Sequence, residues 1–72
     1  MVAIEMDDRL FEATMMKIID ALKKKGYEPY DQIIGYLETG ESNYITRSDG
    51  ARDMIQALDK TRIRRFIMTY HK

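Results

Sequence analysis

The sequence predicts an all-α protein, a compact bundle of about four short helices that pairs into a dimer, and three observations carry this expectation. Apolar residues recur at helical spacing in four separate segments, glycine and proline punctuate the chain between them, and no alternating run is long enough to build a sheet. With 72 residues there is room for one domain, 1–72, and a chain this short buries only about 60% of the surface it exposes when unfolded. No cysteine is present and His71 is the sole imidazole, so disulfides and thiolate metal sites are excluded as staples. A second copy of the chain is the remaining source of buried surface.

The first helix runs from Asp7 to Lys25. Phe11, Met15, Ile18 and Leu22 fall at spacings of four, three and four, and Met16 and Ile19 widen the stripe. Asp7 and Asp8 suit its positive N-terminal end, Lys23, Lys24 and Lys25 suit its C-terminal end, and Gly26 supplies the left-handed residue that ends it. Pro29 then opens a second helix whose apolar face is Tyr30, Ile33, Ile34 and Leu37 and whose C-terminal cap is Gly40. The segment 41–47 contains Asn43-Tyr44-Ile45-Thr46, too short for a sheet and expected as an extended loop. Ser48 or Asp49 is the expected cap of a third helix bearing Ala51, Met54, Ile55 and Leu58. Thr61 is the expected cap of a fourth bearing Ile63, Phe66, Ile67 and Tyr70.

Net charge is zero, but it is unevenly spread: −3 over residues 1–20, −1 over 21–42 and +4 over 43–72. An acidic head and a basic tail pair within one chain, between two subunits, or with a charged partner, and the sequence does not choose among these. There is no apolar run of about 18 residues, and Met1 to Glu5 is too short and too acidic for a signal peptide, so a cytoplasmic protein is expected.

Catalysis is not expected. An active site in so small a protein needs polar groups near the core face, whereas Asp7, Asp8, Glu12 and Asp20 lie off the Phe11 to Leu22 stripe. No spacing of His, Cys or carboxylate suits a metal. The glycines Gly26, Gly35, Gly40 and Gly50 are scattered, so no phosphate-cradling loop is present and no cofactor is expected. Gly35 lies inside a helix at a cost of about 0.5–1 kcal/mol relative to alanine. Close approach of a neighbouring helix or subunit is the favoured reason, with a ligand against the backbone as the alternative. Arg47, Arg52, Lys60, Arg62, Arg64 and Arg65 form the basic concentration and leave a small nucleic-acid-binding module as the alternative function. The zero net charge and the lack of Asn and Gln among these arginines favour a solvated or partner-facing surface. Five tyrosines and six methionines make a composition that suits an interface.

The run KGYEPYDQIIGYLETGESNYIT, followed by GARDMI, carries more than its physics. Its matching positions are Lys25-Gly26-Tyr27, Pro29, Gln32-Ile33, Gly35-Tyr36-Leu37, Gly40, Tyr44-Ile45 and Ala51-Arg52. In these the chain resembles the IreB family of short helical regulatory phosphoproteins of Gram-positive bacteria. The resemblance implies a cytoplasmic, non-enzymatic homodimer that acts below a membrane Ser/Thr kinase and its phosphatase in cell-envelope stress and antibiotic tolerance. Together with the composition it singles out Tyr27, Gln32, Ile33, Gly35, Tyr36, Leu37, Tyr44 and Arg52 as candidate interface or partner-binding residues. The chain departs from the family's pattern in its first residues: relatives carry phosphorylated threonines in an N-terminal tail, and Met1 to Met6 contain no Ser or Thr. Thr14 is the first residue of either type and falls inside the first predicted helix, so no phosphosite is assigned. Glu28 and Ser42 replace an asparagine and a turn proline of the family, and Arg62, Arg64 and Arg65 stand on a last helix that is acidic in relatives.

Overall fold

The computed structural model describes residues 7–70, which contain four α-helices and no strand. These are α1 (Asp8–Lys24), α2 (Pro29–Thr39), α3 (Ala51–Gln56) and α4 (Lys60–Tyr70), with 3₁₀ turns at Ser42–Tyr44 and Ser48–Gly50 between α2 and α3. The expectations placed on Met1 to Met6 and on His71 lie outside the described residues.

Helix α1 begins where Asp7, in extended conformation, accepts the Leu10 amide at 2.8 Å. It ends in a Schellman arrangement: Tyr27 N–H donates to the Leu22 carbonyl at 3.1 Å and Gly26 N–H to that of Lys23 at 3.0 Å, with Gly26 at φ 84°. Only a residue without a Cβ adopts that angle without strain, so Gly26 determines where the chain turns back. Pro29 occupies the first turn of α2, the Glu28 carboxylate accepts the Tyr30 amide at 3.0 Å, and Gly40 closes the helix at φ 74°. Both helices thus end as their punctuation predicts.

The next two helices start differently from the sequence expectation. No side-chain hydrogen bond from Ser48 or Asp49 caps α3; the chain enters it through Asp49 at φ 56° and Gly50 at φ 71°. Aspartate tolerates this left-handed region better than most residues, which explains how a turn residue replaces a cap. The cap of α4 is Asp59, whose carboxylate accepts the Arg62 amide at 3.0 Å, and not Thr61, which is the second residue of the helix. Segment 41–47 is also more ordered than an extended loop, since it makes a 3₁₀ turn before Ile45 extends and buries completely.

The core collects Phe11, Met15, Ile18, Ile19, Ala21 and Leu22 from α1, Ile33 and Tyr36 from α2, Ile45 from the connection, Ala51 and Ile55 from α3, Leu58, and Ile63, Phe66 and Ile67 from α4. Helix α1 packs against α2 and α3, and α4 packs against α2. Two residues assigned to apolar faces lie outside: Met16 and Tyr70 are 51% and 57% exposed. Position 16 follows Met15 by about 100° of helical rotation, which carries it off the stripe that Met15 and Ile19 occupy. Tyr70, in the last turn, lies over a surface groove instead. No polar or charged side chain is buried among the described residues.

Candidate partner-binding cleft

The polar residues between α2 and α3 gather into one cleft. Its volume is about 310 Å³ and it is lined by Tyr27, Gln32, Asn43, Tyr44, Thr46, Arg47, Ser48 and Arg52. Each wall has a local cause. Tyr27 is set by the Schellman turn that ends α1, because its own amide makes the closing bond to Leu22. Gln32 projects from the first turn of α2 beyond the Pro29 start. Tyr44 sits on the 3₁₀ turn, where its amide bonds the Glu41 carbonyl at 3.2 Å and the following Ile45 amide bonds Ser42 at 3.0 Å.

Tyr44 is placed by a helix backbone as well. A Cβ built on Gly35 would meet the Tyr44 ring at 2.7 Å from Cδ1, 2.8 Å from Cε1 and 3.2 Å from Cγ. Real Cβ contacts essentially never fall below 3.0 Å, so the ring occupies the space that glycine leaves open. The close approach expected at Gly35 therefore comes from a tyrosine ring of the same chain, not from a neighbouring helix backbone. On the far side, Arg52 Nε donates to the Ile45 carbonyl at 3.0 Å, which orients the guanidinium and ties α3 to the connection. The Thr46 hydroxyl accepts the Ser48 amide at 3.2 Å and shapes the floor.

Of the eight candidate residues, Tyr27, Gln32, Tyr44 and Arg52 converge on this cleft, and Gly35 supports it from beneath. The other three are placed elsewhere. Ile33 is 0% and Tyr36 4% exposed, so both are core residues of the single chain and offer no surface to a partner. Leu37 is partly buried against the same core. Their apolar side chains on the inner face of α2 explain this placement, and the Lys60 ammonium lies 5.4 Å from the Tyr36 ring centroid. Sequence reading missed Asn43, Thr46 and Arg47 as members of the cleft and assigned Ser48 to a helix cap. A turn-rich polar stretch bounded by Gly40 and Gly50 was the available signal, but spacing alone does not say which way its side chains face.

A second groove, of about 250 Å³, runs between the first turns of α1 and the length of α4. There Arg62 pairs with Asp8 at 2.9 Å and lies 4.5 Å from the Phe11 ring centroid. The Phe11 and Phe66 rings meet edge to face with centroids 6.1 Å apart, and Tyr70 follows at 4.7 Å from Phe66. The Tyr70 hydroxyl donates to Glu12 at 3.3 Å. The negative charge of Glu12, and then that hydrogen bond, hold the Tyr70 phenol above its ordinary value of 10.0. Acidic head and basic tail thus meet within one chain.

Among the described residues no group of three or more His, Cys, Asp or Glu side chains is placed to hold a metal ion. No described helix is long and apolar enough to cross a membrane. What the fold and the cleft define is a small all-helical domain whose distinctive surface is a basic, tyrosine-walled recess. The family model described as IreB regulatory phosphoprotein matches residues 2–71. The chain belongs to the IreB family, and its role is regulatory.

Proposed function

We propose that this chain is a non-enzymatic cytoplasmic regulator that works by binding other proteins, in a Ser/Thr kinase pathway governing cell-envelope stress and antibiotic tolerance, and that it does so as a homodimer. The observation that carries the reading is the match to the regulatory phosphoprotein family over residues 2–71. Two further features support it. Among the described residues the buried side chains are apolar apart from that of Tyr36, the make-up of a packed scaffold that presents a surface. Tyr27 and Tyr44, both exposed, share one cleft with two arginines, a composition suited to recognition. The nucleic-acid alternative is not favoured, because the arginines it would use are divided between two surfaces: Arg52 lines the cleft, while Arg62 and Arg65 line the α1–α4 groove.

Deletion of the gene should change tolerance to a cell-wall-active antibiotic, and the wild-type chain supplied in trans should restore it. Unaltered tolerance, with the chain expressed in wild-type cells under the same conditions, would refute the pathway assignment. Sedimentation equilibrium tests the dimer separately, since a monomer mass across the micromolar range would remove that part of the reading.

A further inference from the structure

The cleft between α1, α2 and α3 has a chemical character that its regulatory reading does not specify. Although the whole chain has equal numbers of acids and bases, this recess contains two guanidinium groups, Arg47 and Arg52, and no carboxylate. The nearest acid in the following turn, Asp49, faces Lys24 at 4.0 Å on another surface. Around the arginines stand neutral donors: the Asn43 and Gln32 amides and the hydroxyls of the two tyrosines. Among the described residues, the side chains of Tyr27, Gln32, Asn43, Tyr44 and Arg47 have no hydrogen-bond or salt-bridge partner. Arg52 is anchored through Nε alone, so its two terminal nitrogens are left to act as a fork.

We propose that this cleft binds a phosphate monoester, with Arg47 and Arg52 meeting the dianion and the Tyr27 and Tyr44 rings flanking the group that bears it. The arrangement matches such a ligand in three respects. Two cations balance the charge of about −1.5 to −2 that a phosphomonoester carries at pH 7. Planar guanidinium groups pair with phosphate oxygens bidentately, and neutral amide and hydroxyl donors satisfy the third oxygen. The volume of about 310 Å³ lies at the lower end for a ligand pocket, enough for one phosphorylated side chain and not for an extended strand. The phosphate comes either from a phosphorylated side chain of a polypeptide or from a free small phosphate. The regulatory reading favours the first source, and only that choice of source rests on it.

The test is titration of the ¹⁵N-labelled chain, followed by amide and arginine Nε resonances. The probes are a phosphothreonine peptide, its unphosphorylated twin, inorganic phosphate and a short single-stranded RNA. Shifts confined to Asn43, Tyr44, Arg47, Ser48 and Arg52 with the phosphopeptide and with phosphate, and absent with the unphosphorylated peptide, are the expected result. Tighter binding of the phosphopeptide than of phosphate identifies the polypeptide source; equal binding identifies the free one, and either supports the site. Binding should weaken as pH falls below about 6, where the second phosphate proton is taken up.

Arg47→Gln should weaken phosphate binding about ten-fold or more, the usual scale for losing a charge-assisted contact, while far-UV circular dichroism stays unchanged. Arg64→Gln removes the same charge away from the cleft and should leave affinity intact. No shift at millimolar phosphate and phosphopeptide would overturn the proposal. So would equal binding of the unphosphorylated peptide, tighter binding of RNA, or equal losses in the two arginine variants. None of these outcomes bears on the antibiotic-tolerance experiment, so the site and the pathway assignment fail or stand separately.

Discussion

Replacing Gly35 with alanine tests the contact on which the cleft wall depends. In an exposed helix interior this change stabilises by about 0.5–1 kcal/mol, because alanine loses less backbone freedom on folding. Here the added methyl carbon would sit 2.7 Å from Tyr44 Cδ1 and 2.8 Å from Cε1. Ordinary carbon contacts lie at about 3.5–4.0 Å, so the ring must withdraw by roughly 1 Å. Rotation about χ2 does not supply that shift, because Cγ lies on its axis and is itself only 3.2 Å away, so relief without backbone movement requires Tyr44 to leave its χ1 well. The other relief is a shift of the 3₁₀ turn, which is tied down by the fully buried Ile45 that follows it.

Overpacking of this kind costs about 1–3 kcal/mol, which outweighs the propensity gain. The net expectation for Gly35→Ala is a loss of about 0.5–2 kcal/mol, read as a lowered urea midpoint with an unchanged slope by circular dichroism. A double-mutant cycle isolates the cause. In a Tyr44→Ala background the obstacle is gone, and the same Gly35→Ala change should stabilise by about 0.5–1 kcal/mol. Stabilisation of equal size in both backgrounds would refute the placement of Tyr44 over Gly35.

Asp59→Ala should cost about 1 kcal/mol through loss of the α4 cap, whereas Thr61→Ala should stay within about 0.5 kcal/mol, and thermal melts of the two variants compare them directly. Ile45→Ala removes a fully buried side chain and should cost about 2–5 kcal/mol, a large part of the stability of so small a domain; a melt within 2 °C of wild type would contradict its burial. Because Tyr70 is held above 10.0 by Glu12, its proton is bound more tightly in the folded state. That contribution is complete below pH 10 and is lost as pH rises through the raised folded value. An ultraviolet titration should therefore show the Tyr70 ionisation moving to lower pH in Glu12→Gln. For the exposed Asp8, paired with Arg62, Asp8→Asn should change stability by no more than a few tenths of a kcal/mol, whereas Arg62→Ala should cost more because it also uncovers the Phe11 ring.

How far the sequence discloses this molecule depends on the range of the determining interaction. The ends of α1 and α2 were legible because Asp7, Gly26, Pro29 and Gly40 act on backbone groups within a few residues of themselves. Periodicity likewise identified Phe11, Met15, Ile18, Leu22, Ile33, Ile55, Ile63 and Ile67 as core. It failed where two adjacent residues competed for one face, as with Met15 and Met16, and where two capping residues stood two positions apart, as with Asp59 and Thr61. Half of the candidate surface set proved to line one cleft, yet Ile33 and Tyr36 went to the core. A family motif mixes residues kept for packing with residues kept for contact, and only the fold separates them. The remaining lining, Asn43, Thr46 and Arg47, is brought to Tyr27 by tertiary packing across the connection, which no local pattern encodes.

The charge asymmetry of the chain acquires a physical meaning from the same separation of surfaces. Asp8 meets Arg62 and Glu12 meets Tyr70 across 54 and 58 positions of sequence, so the acidic head closes on the basic tail around the Phe11–Phe66 contact. Exposed pairs of this kind add little stability. On the cleft side the balance is reversed, because Arg47 has no carboxylate across from it and Arg52 is joined to a carbonyl instead. That side is also built from short 3₁₀ turns held by few backbone bonds, the kind of segment that opens locally at lower cost than a packed helix pair. Arg52 connects the two properties, since the guanidinium that lines the cleft also holds the carbonyl of the buried Ile45. An anion that draws on the free nitrogens of Arg52 leaves its Nε bond in place, and so adds order to the connection between α2 and α3 without altering the paired groove between α1 and α4.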